Sequence, residues 1–178
     1  MGDFFDQIPG DVQDQIRDIT KSSGLPDNED SIEMMAQAWI EKKEAFEEKI
    51  EALDMEELDS YDKEDTRGAL VLTYSGSLVS IGPLADDGRA VEYTSIGIRS
   101  DVPDSLKGEG SMLGKDVMVG EEMEFESGPV KSTSSIFKIA VFKEEISAEE
   151  QEEKLSDATV VLSDEFTKIN KTIISNND

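Results

Sequence analysis

The sequence predicts an α+β protein: a helical N-terminal part followed by a twisted, mostly antiparallel sheet. Three observations carry that reading. Residues 30–58 repeat apolar side chains at helical spacing with no proline or glycine between them. The pattern changes at Gly68 to short runs rich in leucine and β-branched residues, separated by turn residues. Residues 134–142, SSIFKIAVF, form an unbroken apolar run that reads as a central strand.

The elements follow in chain order. Phe4 and Phe5 sit among aspartates and are expected to pack back as an N-terminal clasp. A first short helix starts at Pro9, which suits a first turn because it needs no amide donor. Ile8, Val12, Ile16 and Ile19 share one side of it, and Ser22, Ser23 and Gly24 end it. An acidic turn leads into the long helix, with Asp30 as its expected cap and Glu33 closing a capping box.

Ile32, Trp39, Phe46 and Leu53 recur every seventh residue of that helix, with Met35, Ala36, Lys43 and Ile50 at the half-steps. A helix over 30–58 would be about 40 Å long. One apolar stripe of that length calls for a helical or sheet partner, or for a second copy of the chain. The short first helix can cover only half of it, as the near member of an antiparallel pair.

Residues 59–67 are polar and read as a linker. Residues 69–74 and 77–82 then form a hairpin about Ser75-Gly76, and 89–99 a longer strand. Residues 101–110 read as a loop. Met123 and Phe125 alternate with glutamates in a half-exposed strand. Ser147 with Glu150 caps a short helix through Leu155, residues 159–162 read as a strand, and Phe166, Ile169, Ile173 and Ile174 belong to a last short element. The domain reading is an acidic helical arm over 1–62, a sheet domain over 68–143 and an acidic C-terminal extension over 144–178.

Charge narrows the function classes. The net charge is -25, with 42 acidic and 17 basic side chains. Residues 1–65 hold 21 acids and 6 bases, residues 66–143 hold 11 and 8, and residues 144–178 hold 10 and 3. Such ends repel a free nucleic-acid backbone and attract a basic protein surface. With no cysteine and no histidine, disulfides, thiolate nucleophiles, imidazole acid–base chemistry and the usual zinc sites are excluded. No run is apolar enough to span a membrane, and residues 1–20 lack the basic start of a signal peptide, so a cytoplasmic protein is expected.

The run LGKDVMVGEEMEFESG over 113–128, followed by SSIFKIAVF, resembles the close of the C-terminal domain of the GreA/GreB transcript-cleavage factors. Residues 68–73, Gly-Ala-Leu-Val-Leu-Thr, are similar to the opening strand of that domain. The related nucleoside-diphosphate-kinase regulators carry a shorter helical hairpin on the same domain. The resemblance implies an FKBP-like sheet beneath the N-terminal hairpin and RNA polymerase as partner.

In the cleavage factors, acids at the hairpin tip help bind the catalytic magnesium. Here the tip runs Gly24, Leu25, Pro26, Asp27, Asn28, Glu29, Asp30, and Leu25 stands where the family has its first aspartate. The family's metal acids therefore do not transfer position by position. Asp27, Glu29 and Asp30 are the candidate interaction tip on their own chemistry. Clustered carboxylates can hold magnesium, but a dedicated site needs set geometry or phosphate ligands as well, so no cofactor is expected.

A non-catalytic protein-binding module is the resulting expectation, with no catalytic residue named. An enzyme using carboxylates, or an apolar prolyl-isomerase pocket among Tyr74, Tyr93, Phe125, Phe137 and Phe142, is the alternative from a second class. A structural acidic domain is the third.

Overall fold

The computed structural model of the chain describes residues 4–22, 25–26, 28–84, 91–96, 104–108, 115–125, 132–143 and 146–176. Helices α1 (Gly10–Ser22) and α2 (Glu29–Ala52) precede the sheet, and α3 (Ala148–Asn176) follows it. The strands are β1 (Met55–Leu58), β2 (Ser60–Tyr61), β3 (Ala69–Thr73), β4 (Leu78–Ile81), β5 (Val91–Ser95), β6 (Asp104–Gly108), β7 (Val117–Met118), β8 (Glu122–Glu124) and β9 (Ser132–Phe142). The α+β class read from the sequence is the class observed.

The main sheet runs β1-β9-β3-β4-β5-β6, with every pairing antiparallel. Strand β9 is interior to it, as its unbroken apolar run requires. It pairs with β3 on one side, while β1 and β8 pair with its residues 139–142 and 132–135. Strands β2 and β7 form a separate ribbon.

Alternation sorts the apolar residues onto two faces. Leu70, Leu72, Leu78, Ala140 and Phe142 meet Phe46 and Ile50 of α2 and Leu155, Leu162 and Phe166 of α3. Val71, Val79, Ile139 and Val141 look the other way, onto Tyr61 and Val117 of the small ribbon and Met123 of β8. A third cluster joins Phe5, α1, the first half of α2 and Ile173 near the end of α3.

Several expectations are corrected. Helix α2 ends at Ala52 instead of continuing to Leu58. Asp54 takes a left-handed φ of 55°, which a short polar side chain tolerates, and the chain leaves as β1. The supposed linker over 59–67 contains β2, whose Tyr61 is fully buried. Within the expected loop over 101–110, residues 104–108 pair with β5 as β6.

The largest correction concerns the C-terminus, where one 29-residue helix replaces a short helix, a strand and a further short element. Leu155, Ala158, Leu162, Phe166, Asn170 and Ile173 are its buried line, with steps of three or four residues and Thr159 buried beside Ala158, while the β-branched Val160 and Val161 face outward. The Ser147 cap holds: its Oγ accepts from the Glu150 amide at 3.2 Å.

Helix α3 reaches the sheet through Gly68. Gln151 Oε1 accepts from the Gly68 amide at 2.7 Å, and a Cβ at that position would lie 2.8 Å from Leu155 Cδ1. A side chain there would have to displace the end of Leu155, so glycine suits this close approach. Helix α3 is thereby fixed across both α2 and the sheet, and it shares the core of each.

Candidate functional site

The long helix is capped two residues earlier than expected. Asn28 is the cap, its side chain accepting from the Ser31 amide. Glu29 and Asp30 fall in the first turn, exposed, where carboxylates suit the positive end of the helix dipole. Asp27 lies outside the described residues. The Glu33 carboxylate makes no capping box. Its two oxygens accept from the Phe4 and Phe5 amides at 2.6 and 3.1 Å. Those bonds pull the N-terminal segment down onto α2, and Phe5 is buried there beneath the Arg17 guanidinium, 5.0 Å from its ring centroid.

Every residue of the stripe faces inward to some degree. Ile32, Met35, Trp39, Phe46 and Ile50 are buried, and Leu53 is half-buried at the C-cap. The first three pack with α1 and the N-terminal segment, the next two with the sheet and α3. The stripe is thus covered within one chain. Of the half-step residues, Ala36 is buried, whereas Lys43 is half-buried and pairs with Glu47 at 3.4 Å.

The buried half-step belongs instead to Lys42, a residue that counting in sevens missed. A 3.6-residue period puts the midpoint between Trp39 and Phe46 at either 42 or 43, so the signal was present but ambiguous. Lys42 is 2% exposed, donates from Nζ to the Ile96 carbonyl at 2.9 Å and lies 5.6 Å from the Phe166 ring centroid. Burial alone lowers its pKa from 10.5 to about 7. The hairpin turn makes room for it: a Cβ on Gly76, at φ +86°, would lie 2.6 Å from Lys42 Cδ.

Beside Lys42 the sheet departs from regular pairing. Leu72 pairs with Lys138 and Thr73 with Ile136, so Phe137 is the extra residue of a β-bulge. The bulge presents Phe137 to the helices. Its ring meets Trp39 edge-on at 5.0 Å and Tyr74 at 5.2 Å. The Tyr74 phenol is held above its ordinary pKa by burial and then by the negative charge of Asp11.

A groove of about 280 Å³ opens next to this aromatic cluster. Ile8, Pro9 and Val12 form one wall, Trp39 and Ile40 the other, and Phe137 also lines it. Gln7, Lys43 and Glu44 supply the polar part of the lining. Trp39 is only 6% exposed, and its Nε1 has no hydrogen-bond partner among the described residues.

The acids dominate the outer surface. On α3, Glu149, Glu150, Glu152, Glu153, Asp157, Asp164 and Glu165 are exposed, as are Glu121, Glu122 and Glu124 beside β8. Among the described residues, no group of three or more acidic side chains has the spacing to hold a metal ion. No described helix is long and apolar enough to cross a membrane.

No family model matches the chain, and neither does any curated protein or solved structure with which it was compared.

Proposed function

We propose that this protein is a non-catalytic binding module that docks through its acidic surface on a basic protein surface. The observation that carries the reading is the first turn of α2 together with the outer face of α3. These surfaces present carboxylate after carboxylate to solvent, while the apolar sides of both helices are spent on the core. Charge of one sign at this density accelerates encounter with an opposite surface and sets orientation more than it sets affinity. Shape-specific contact then has to come from less charged surface, in residues 66–143 or where they meet the helices.

The resemblance of residues 113–142 to the transcript-cleavage factors makes RNA polymerase the first partner to test. Binding to polymerase is to be measured at low and at physiological salt, for the parent chain and for the triple variant D27N/E29Q/D30N. The expected result is binding that weakens as salt rises, because exposed charges are screened within about 8–10 Å. A simple docking role predicts that the triple variant loses part of its binding and that no RNA cleavage is seen in either form. Polymerase-dependent cleavage that disappears in the variant while binding persists would replace this reading with a cleavage-factor mechanism. Absence of binding at low salt removes polymerase as the partner.

A further inference from the structure

We propose that the groove between the N-terminal segment and α2 is a socket for one large apolar side chain, borne on a basic segment of the partner. The inference rests on the docking role and names its shape-specific contact. Size is the first argument. At about 280 Å³ the groove falls just below the ~300 Å³ where small-molecule clefts begin, and it has room for one large apolar side chain. Chemistry is the second. Ile8, Pro9, Ile40 and Phe137 offer an apolar lining beside the buried Trp39.

Charge is the third argument, and it selects the flanking residues of the occupant. Glu44 is exposed at the groove, and the exposed Asp6 and Asp11 adjoin the lining residues Gln7 and Val12 in sequence. The one lysine in the lining, Lys43, is engaged with Glu47 and with the Trp39 ring, 5.6 Å from its centroid. The surroundings are therefore negative, and cationic neighbours of the anchor are favoured over anionic ones. The N-terminal segment forms one wall, held by the two Glu33 hydrogen bonds, so the socket exists only while that clasp is closed.

Trp39 is the only tryptophan of the chain, so its fluorescence reports the groove directly. Two short lysine-rich peptides serve as probes, one with a central phenylalanine and one with alanine in its place. Each is titrated at low salt, following both Trp39 emission and the anisotropy of a dye on the peptide. The phenylalanine peptide is expected to bind about tenfold more tightly and to shift Trp39 emission, as burial of one aromatic side chain implies. The alanine peptide is expected to bind by charge alone and leave the emission unchanged.

Ile40→Phe fills the groove from its half-buried wall and should erase the difference between the peptides. Glu33→Gln weakens the clasp and should reduce that difference. Equal affinities with no emission change overturn the socket and leave the docking role standing. Failure of both peptides to bind at low salt overturns the docking role and the socket with it.

Discussion

Lys42 is the residue on which chemistry and stability meet most directly. An amine with a folded pKa near 7 and an unfolded pKa of 10.5 is more protonated in the unfolded chain throughout the interval between those values. Stability therefore rises with pH from about 7 towards 10, and the cost of the buried charge is felt in full below that window. The chain has no histidine or cysteine to titrate in the same range. Tyr74 acts in the opposite sense. Its raised pKa means that its contribution is present below pH 10 and is lost above it, which closes the window from the top. Thermal melts from pH 6.5 to 9.5 should show an increasing midpoint. In Lys42→Met the slope should vanish, and at neutral pH the variant should be more stable by about 1–3 kcal/mol, because a long apolar side chain replaces an unpaired buried charge. A flat profile for the parent chain would show that Lys42 reaches solvent.

At the scale of elements, α3 is the test of how this protein is assembled. It runs as one helix because its buried residues recur every three or four positions, and this period outweighs the strand preference of Val160 and Val161. Leu162→Ala and Phe166→Ala each remove a fully buried side chain and should cost about 2–5 kcal/mol by denaturant titration. Val161→Ala, at an exposed position, should change stability by less than about 0.5 kcal/mol. A strand over 159–162 would make alternate residues equivalent and would penalise Val161→Ala as well. Helix α2 presents the complementary case. Its stripe is divided between two clusters, with Trp39 on one side of Lys42 and Phe46 on the other, so a single helix joins the N-terminal segment to the sheet.

Across the whole molecule, a net charge of -25 on 178 residues opposes compaction through self-repulsion. The described ion pairs are few beside the 42 acids, and those involving Lys43, Lys143 and Lys154 are exposed enough to contribute little. Raising sodium chloride from about 0.02 to 0.3 M should therefore raise the melting midpoint, as the screening length falls from tens of ångströms to a few. The same change should weaken partner binding. Opposite responses of stability and affinity to one salt titration would separate the internal from the external role of the acids. A midpoint that falls with salt would mean that the surface pairs outweigh the repulsion. The ground for a dimer through the α2 stripe is removed, because the stripe is covered within one chain.

Sequence alone determined whatever depends on local period and on the chemistry of single residues. The stripe of α2, the hairpin of β3 and β4, the interior position of β9 and the alternating burial of Met123 were legible because each is written within one short window. The acidic surface was legible from charge counts, and Glu29 and Asp30 are exposed, though Asn28 and not Asp30 is the cap. Tertiary structure decided the rest. The departure of β1 from the end of α2 and the pairing of β6 depend on partners distant in sequence, which local pattern cannot see. The groove needs three separate segments to converge, and the burial of Lys42 needs a carbonyl 54 residues away and a glycine turn 34 residues away. A side chain's period places it on a face, but its environment is built by whatever the fold brings to that face, and for Lys42 this converts an ordinary surface lysine pattern into a buried amine with a pKa near 7.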